Sequence, residues 1–514
     1  GSDTQKPESE KTEKPAPGTK EFPAGSYVIR MDQPYSRIAD ALLDYQYWAP
    51  NDPQRRPYDD TGWTFGEMFN VQVVRVTDAK VLEAATEKLG PVAAPGGVNG
   101  SGTVFAVNNN ADPALFAFRY RFKDTPFDVA EEAFEAGGRK FNRGSFLVKG
   151  VAADALGSAA KDLGLQVYAL ATAPSVKVHT VKAPRIAYVH TWLGTQDEGW
   201  WRMEFDRLGI AYDYVSTQTI AAEPNLNGRW DVIVFPPVGR GTQQIISGMP
   251  MWRNPLPWKT TELTPNIGKI DSTDDMRPGL GWGGVVKLES FVRSGGLLIT
   301  ADDTTEFVNT LGFTPGLSVQ RPTRVRAPGT VMRARLVDGA SPIAYGYDES
   351  LAVYSAPGLV FGVSNGSGGR GGGRGGAEAE RPTGRGTADD MDTPQGRPVV
   401  TPPEEPPRAD PWQAQPVTDD QLRNPLSIIP PAQRPRVVLR YGDTRELLVS
   451  GLLENGNELA QRPAVVDVPL DKGHVVVFAI NPMWRGETHG TYSLVFNAIM
   501  NYSALDSGRK LDEK

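Results

Sequence analysis

The feature that most constrains the fold is a regular alternation of apolar segments and helical patterns that begins at Pro184. Residues 186–189 form an apolar run typical of a buried strand. Trp201 and Phe205 then continue at helical spacing as far as Gly209, which stands where a C-cap glycine is preferred. Alternating strands and helices joined by short turns predict a parallel sheet that is covered on both faces.

The alternation continues through most of the remaining chain. In chain order it predicts strands at 232–235, 297–300, 437–439, 447–449, 465–468 and 475–479, a helix through Leu288, Phe291 and Val292, and a last helix through Tyr492, Val495, Phe496 and Ile499. We therefore expect an α/β fold with a doubly wound parallel sheet.

An internal repeat precedes this domain. The pattern Phe-x-x-Gly-Ser followed by a short β-rich run occurs at 22–30 and again at 141–149, and each copy leads into a helical pattern. An apolar run then follows at 71–76 in the first copy and at 166–170 in the second. Two related β-α-β units, within one α/β module at 21–180, are the simplest interpretation.

A further strand is predicted between the two copies, at 103–107. Asp112 and Pro113 follow it, an N-cap residue with proline at the first helical position. A helix is therefore expected to begin near Leu115.

Low-complexity segments set the remaining boundaries. Residues 363–417 are rich in Gly, Arg and Pro and cannot bury enough apolar surface to offset the entropy cost of ordering, so we predict a disordered insertion. The insertion divides the doubly wound domain into parts at 184–362 and 418–506. Residues 1–20 are expected to be a disordered linker or a cloning remnant, and 507–514 a polar tail.

Composition excludes several function classes. Lys and Arg total 54 against 61 Asp and Glu, a formal charge of −7, so a nucleic-acid partner is not expected. The chain has no cysteine, which removes thiol nucleophiles, disulfides and cysteine-based zinc sites. No apolar run is long enough for a membrane span, and no signal-peptide core is visible near the first residue.

Three motifs carry a resemblance to a known family. They are EFPAGSYVIRMDQPY at 21–35, PYDDTGW at 57–63, and RGETHGT at 485–491 followed by Phe496 and Asn497. In this order they resemble the region that follows the catalytic domain in large bacterial proteins of the zinc carboxypeptidase A family. The similarity covers most of the chain outside the two low-complexity segments.

This resemblance implies a specific organisation. Residues from Pro184 to about Gly316, together with the C-terminal strands, would form a flavodoxin-like domain similar to class I glutamine amidotransferases. The parent proteins would be exported metallopeptidases whose zinc lies in a catalytic domain absent from this chain. The expected partners are a peptide or protein substrate, or an N-terminal peptidase domain.

The zinc signature of a carboxypeptidase is missing from the sequence. Such enzymes use His-x-x-Glu and a later histidine, which leaves one coordination position open for water. The residues three positions after the four histidines are Lys182, Leu193, Val477 and Tyr492, so none is glutamate. No His-Glu-x-x-His motif is present either. We expect no metal site and no cofactor in this chain.

The nucleophile of an amidotransferase is also missing. It should stand at the sharp turn after a central strand, where backbone N–H groups stabilise the oxyanion. The matching position follows 295–301 and carries Asp302 and Asp303. A carboxylate cannot form the thioester intermediate, so glutaminase activity is not expected.

Candidate site residues lie at the carboxyl ends of the predicted strands, where open α/β sheets bind ligands. They are His190, Trp192, Asp302, Asp303, Trp484, Arg485, Glu487 and His489. One hypothesis is a polar pocket with aromatic walls, with His190, Asp302 and His489 as catalytic candidates and the others as ligand-binding candidates. The structural alternative is that Asp302 or Asp303 caps the next helix, Arg485 pairs with one of them, and the tryptophans provide packing.

Weaker patterns have simpler explanations. The acidic run at 271–275 lacks the spacing of a calcium-binding EF-hand loop and favours a solvated loop. Trp252 and Trp258 lie in a proline-broken stretch that is expected to cover the sheet edge, with ligand contact as an option. Asp59 and Asp60 predict a turn.

Three functional hypotheses follow from the sequence. The first is an accessory, non-catalytic region that supports or recognises peptide substrate for a peptidase domain. The second is a stand-alone binding protein for peptide or carbohydrate, and the third is a hydrolase that uses His190, Asp302 and His489. Whether the chain is an enzyme stays open at this level.

Overall fold

The structure is a computed structural model that describes residues 20–23, 25–49, 52–54, 57–356, 358–366, 410–414 and 423–511. The predicted linker at 1–20, except its last residue, and most of the predicted insertion at 363–417 lie outside the described residues.

The strands of the described residues are β1 (Gly97–Asn99), β2 (Val104–Val107), β3 (Phe127–Ala130), β4 (Phe134–Ala136), β5 (Arg139–Phe141), β6 (Phe146–Lys149), β7 (Gln166–Leu170), β8 (Val178–Val181), β9 (Ile186–His190), β10 (Asp213–Ser216), β11 (Val232–Phe235), β12 (Leu297–Ala301), β13 (Leu317–Gln320), β14 (Thr330–Leu336), β15 (Ser350–Ser355), β16 (Val360–Val363), β17 (Arg436–Tyr441), β18 (Leu448–Ser450), β19 (Pro463–Leu470) and β20 (Gly473–Phe478). The helices are α1 (Ser36–Leu43), α2 (Phe65–Met68), α3 (Ala114–Arg121), α4 (Ala153–Leu163), α5 (Gln196–Leu208), α6 (Thr217–Ala222), α7 (Leu226–Arg229), α8 (Thr242–Ser247), α9 (Gly281–Arg293), α10 (Asp303–Thr310) and α11 (His489–Met500).

The described residues divide into two compact units. The smaller unit comprises the described parts of Gly1–Ala41 and Val74–Pro91. Its contacts include polar ones: Arg30 donates to Asp32 at 2.7 Å and to the carbonyl of Leu82 at 2.9 Å, and Arg75 pairs with Asp40. The larger unit comprises Leu42–Val73 and the described residues after Pro91.

The prediction of strands in the first copy of the β-α-β repeat is wrong. The helical pattern forms α1, but the described residues at 22–30 and 71–76 contain no strand. Val71, Val73 and Val76 are exposed. β-Branched residues favour strands only where a neighbouring strand supplies pairing and packing, and these runs have none.

The second copy and the strand before it are confirmed, and they build one sheet. The strand predicted at 103–107 is β2, and the helix after Asp112 is α3. Four strands lie in the order β7-β2-β6-β3, with β6 and β7 both antiparallel to β2 and β3 antiparallel to β6. The units β2-α3-β3 and β6-α4-β7 are therefore two split β-α-β halves in ferredoxin-like order. β1 and β8 extend this sheet at its two edges.

The predicted doubly wound sheet is confirmed. Five parallel strands lie in the order β10-β9-β11-β12-β20, which is the flavodoxin-like order 2-1-3-4-5. All five residues of β12 are buried, so helices cover both faces of the sheet. The mixed α/β class expected from the sequence is therefore present.

An antiparallel extension continues the sheet beyond β20. Its order is β19, β17, β14 and β15, with β18 alongside β14. Residues near the start of the larger unit attach to this extension: Thr61 accepts the backbone N–H of Leu452 at 2.9 Å and donates to the carbonyl of Pro328 at 2.8 Å. Segments far apart in sequence thus meet in one layer.

An aromatic core joins the ferredoxin-like sheet to the doubly wound sheet. The ring of Phe116 in α3 stacks on Phe496 in α11 at 4.4 Å and meets the edge of Phe205 in α5 at 6.0 Å. All three side chains are fully buried. The two sheets therefore share one hydrophobic core.

Candidate functional site

The turn after β12 has the strained geometry that α/β enzymes use to present a nucleophile. Asp302 has φ 47° and ψ −123°, and α10 begins at the next residue. A non-glycine residue in the left-handed region carries a strain of order 1–3 kcal/mol. The position inferred from the sequence is thus a sharp strand-to-helix turn, and its side chain is a carboxylate.

Asp303 holds the loop that follows the neighbouring strand β11. Its buried carboxylate accepts the backbone N–H of Val238 at 3.1 Å and that of Arg240 at 2.7 Å. Burial raises the pKa of Asp303 to about 7, and the charge of Asp302 adds to the increase. The helix-cap alternative is wrong, because the side chain of Asp302 makes no capping hydrogen bond to α10 and Asp303 binds the loop after β11 instead.

Asp302 lies in a negatively charged setting. The protein atoms around the carboxylate of Asp302 shield it from water and so raise its pKa. The positive charge of Arg321 lowers this pKa, and the carboxylates of Asp197 and Glu306 raise it. The side chain nevertheless reaches solvent. An exposed carboxylate at this turn fits a cationic or hydrogen-bond-donating group and would repel an anion.

Arg485 does not pair with Asp302 or Asp303, so the expected ion pair is wrong. Its Nη1 lies 2.6 Å from Asp59 and 3.1 Å from Asp60. The turn predicted at Asp59 and Asp60 therefore also supplies the acidic partners of this arginine, and no local sequence pattern indicates that pairing.

Asp60 is the centre of a polar cluster that includes Trp484. It accepts the hydroxyl of Tyr354 at 2.5 Å and the indole N–H of Trp484 at 2.8 Å, besides Arg485. The rings of Tyr354 and Trp484 stack at 5.2 Å. Burial, with the charge of Asp60, raises the pKa of the nearby Glu487.

His190 is buried at the end of β9 and pairs with Asp271. Its Nε2 lies 2.8 Å from Oδ2 of Asp271, and its ring stacks on Tyr214 at 4.3 Å and meets Trp192 at 4.8 Å. Asp271 comes from a long loop 81 residues further along the chain. This pairing was not visible in the sequence.

The acidic run at 271–275 distributes its charges among separate partners. Asp271 pairs with His190, Asp274 with Lys259 at 2.5 Å, and Asp275 with Arg277 at 2.6 Å. The last pair fastens the loop internally, because Arg277 also donates to the carbonyls of Trp252 and Arg253. In the described part of the chain, no three His, Asp or Glu side chains are grouped to hold a metal ion.

His489 begins α11 in an aromatic setting. Its ring lies 4.6 Å from Phe69 and 4.7 Å from Tyr492, and burial lowers its pKa. Across the described ranges, no hydrogen bond joins His489 to His190 or Asp302. The three catalytic candidates therefore have separate environments rather than one hydrogen-bonded cluster.

The loop between α8 and α9 presents large apolar side chains to solvent. Its exposed members are Met251, Trp252, Leu256, Trp258, Leu263 and Ile270. Its backbone is nevertheless ordered by polar contacts, including paired N–H and carbonyl groups of Trp258 and Thr273. The loop therefore holds aromatic side chains outward on a fixed frame.

Comparisons with known proteins place these features in context. No family model matches the sequence, and no curated protein matches it. The structure is similar to a cytoplasmic protein from Salmonella typhimurium, with 12% identity over 61% of this chain and 97% of the other and a TM-score of 0.28. It is also similar to a putative GMP synthase subunit from Thermoplasma acidophilum (8% identity, 61% of this chain, 94% of the other, TM-score 0.29).

A third similar structure is a putative ThuA-like protein from Bacteroides uniformis, with 9% identity over 63% of this chain and 94% of the other and a TM-score of 0.27. Similarity of this degree says nothing about function. Within the described residues, no helix is both long enough and apolar enough to cross a membrane.

Proposed function

We propose that this chain is a non-catalytic accessory region of an exported zinc carboxypeptidase-like protein, and that it supports or recognises peptide substrate for a peptidase domain. The observation that carries the proposal is the turn at Asp302, which keeps the backbone of a nucleophile position but presents a carboxylate. A carboxylate at this position cannot attack an amide to form a thioester intermediate.

The environment of the turn supports the same proposal. In enzymes with this architecture, backbone N–H groups beside the turn stabilise the oxyanion. In this chain the N–H groups of Val238 and Arg240 are hydrogen-bonded to the carboxylate of Asp303. Two donors of the neighbouring loop are thus already bound to a side chain of the protein itself.

The exposed loop between α8 and α9 supports a role in recognition. Monomeric proteins seldom keep a large apolar patch in solvent unless it contacts a partner. Trp252 is 74% exposed and Trp258 40% exposed, on a loop fixed by the Asp275–Arg277 pair. The same feature favours the second candidate, a stand-alone protein that binds peptide or carbohydrate through this loop.

The decisive experiment begins with the gene. The proposal expects the reading frame upstream of Gly1 to encode a domain with His-x-x-Glu and a later histidine. Purified chain alone should release no C-terminal residues from peptides, with or without a chelator. Chelator-sensitive release by this chain would refute the accessory role.

A second measurement separates the accessory role from stand-alone binding. In the full-length protein, replacing Trp252 and Trp258 together by alanine should raise KM for peptides by about threefold to tenfold with little change in kcat, because binding is lost without altering the chemistry. Trp282→Ala is the matched control, since Trp282 is also well exposed but lies on α9. Unchanged KM in the double variant would contradict recognition by this loop.

A further inference from the structure

A second candidate site lies beside the edge strand β10. A cavity of about 370 Å³ opens between β10 and α5. The residues that matter for its chemistry are Thr195, Glu198, Arg202, Met203, Asp206 and Tyr214. A cavity of this size is at the small end of the range for ligand pockets, so a small molecule is indicated.

Glu198 gives the cavity an unsatisfied acceptor. Its side chain is only 1% exposed, and its Oε1 accepts the hydroxyl of Tyr214 at 2.6 Å. Its Oε2 has no hydrogen-bond partner among the residues that the structure describes. Leaving a buried acceptor unpaired costs about 1–3 kcal/mol, so a donor that reaches Oε2 from the cavity would be stabilised there.

Arg202 gives the cavity an anion-binding group one helical turn away. Its guanidinium lies over the ring of Tyr214 at 4.6 Å. Its Nε is 3.7 Å from Oδ2 of Asp206, which is longer than a hydrogen bond. The guanidinium is therefore oriented by the aromatic ring and by a long ion pair with Asp206, and its other N–H groups are donors of the kind that a carboxylate binds.

Tyr214, which lines the cavity, is held in place by its contact with His190. The ring of Tyr214 stacks on that of His190 with an interplanar angle of 6°, and His190 is fixed by Asp271. Arg202, Tyr214 and His190 thus form a three-layer stack. A site whose side chains are already oriented loses less entropy when a ligand binds.

We propose that this cavity binds a free α-amino acid as its zwitterion. Glu198 would accept the ammonium group, and Arg202 would bind the carboxylate. The two residues are four apart on α5, so they lie on the same helix face and can contact the two ends of one small ligand. The proposal concerns this cavity alone, and failure of the proposed accessory role would leave it unaffected.

Isothermal titration of the purified chain with each of the twenty L-amino acids tests the proposal. At least one should bind saturably below about 10 mM, a limit that corresponds to a weak but specific complex. The N-acetyl derivative of that amino acid lacks the cation and the amide derivative lacks the anion. Each should bind at least about tenfold more weakly, equivalent to about 1.4 kcal/mol.

Variants locate the binding in the cavity. Glu198→Gln and Arg202→Gln should each weaken binding by about tenfold or more. Arg121→Gln is the control, since Arg121 forms an exposed pair with Asp162 elsewhere.

Several outcomes would overturn the proposal. They are no saturable binding by any amino acid, equal binding of the N-acetyl or amide derivative, and unchanged affinity in both cavity variants. A crystal structure that shows only ordered water at Oε2 of Glu198, with the preferred amino acid present at saturating concentration, would do the same. If Glu198→Gln fails to fold, the two derivatives still decide the question.

Discussion

Nδ1 of His474 lies 2.7 Å from Oδ1 of Asp467, and both side chains are buried where β19 and β20 run antiparallel. Burial alone would lower the pKa of His474, but the charges of Asp467 and Asp506 raise it to about 9. The imidazole is therefore charged in the folded protein at neutral pH. A buried charge of this kind makes stability depend on pH.

The first prediction concerns His474→Gln. The folded pKa of about 9 exceeds the ordinary value of 6.5, so the stabilisation is fully present below about pH 6.5 and is lost as pH rises through 9. Wild type should therefore lose on the order of 3 kcal/mol relative to the variant between about pH 6 and about pH 10. Urea unfolding across this range measures the difference.

His489→Gln is the control for this experiment. Burial lowers the pKa of His489, so its effect on stability falls at acidic pH rather than alkaline pH. The gap between wild type and the control should stay constant above about pH 7. A parallel pH profile for wild type and His474→Gln would contradict the assignment.

The second prediction concerns Asp303→Asn. The folded pKa of about 7 is above the ordinary value of 3.8, so between pH 4 and 7 the carboxyl ionises in the unfolded chain but stays protonated in the fold, and stability falls as pH rises. The variant cannot ionise and should gain stability relative to wild type over that interval, by up to about 4 kcal/mol. Melting temperatures measured across this pH range report the change.

The side-chain amide introduced by Asp303→Asn would also lose one of the hydrogen bonds to the loop at Val238 and Arg240. That loss is constant with pH and costs about 1 kcal/mol, so only the slope of the pH profile is diagnostic. A slope equal to that of wild type would show that Asp303 is ionised in the fold at all these pH values.

Features set by residues close together in the sequence could be predicted, whereas features that depend on distant parts of the chain could not. The strands at 232–235 and 297–300 were predictable because their apolar runs mark burial directly, and the structure forms them as β11 and β12. The run at 71–76 has a similar β-branched composition but no neighbouring strand, and nothing within the run itself reports that. Pairing is a property of the fold rather than of the segment.

In the candidate site, too, features set by adjacent elements could be predicted and pairings with distant residues could not. The turn at Asp302 was predictable because it follows a recognisable strand and precedes a helix. The partners of His190 and Arg485 were missed because Asp271 and Asp60 are 81 and 425 positions away. Charge pairs at such separations leave no pattern in a single sequence.

The third prediction tests strain at the turn. Asp302 has a positive φ, which glycine adopts without cost and alanine does not. Asp302→Gly should therefore be more stable than Asp302→Ala by about 1 kcal/mol or more. Ala155→Gly is the control, because Ala155 lies exposed within α4, where glycine should be less stable than alanine by about 0.5–1 kcal/mol.

Chemical unfolding of the three variants checks this prediction. Equal stability of the glycine and alanine variants at 302 would mean that the turn relaxes and carries no strain.

The fourth prediction compares two adjacent carboxylates. Asp60→Ala removes the acceptor for Tyr354 and Trp484 and should cost about 2–4 kcal/mol, because partly buried donors lose their partner. Asp59→Ala removes a largely exposed contact to Arg485 and an exposed hydrogen bond from the backbone N–H of Asp60, and should cost about 1 kcal/mol. Thermal melting ranks the two variants, and equal losses would contradict the central position of Asp60.

The placement of β20 has a consequence for how the protein is made. β12 lies in the middle of the parallel sheet, and Leu297 pairs with His474 in β20. During translation, β12 therefore has an open edge until β20, which begins at Gly473, has been synthesised. Unpaired strand edges are sites of aggregation, so the nascent protein is exposed to aggregation until β20 pairs with β12 and completes the parallel sheet.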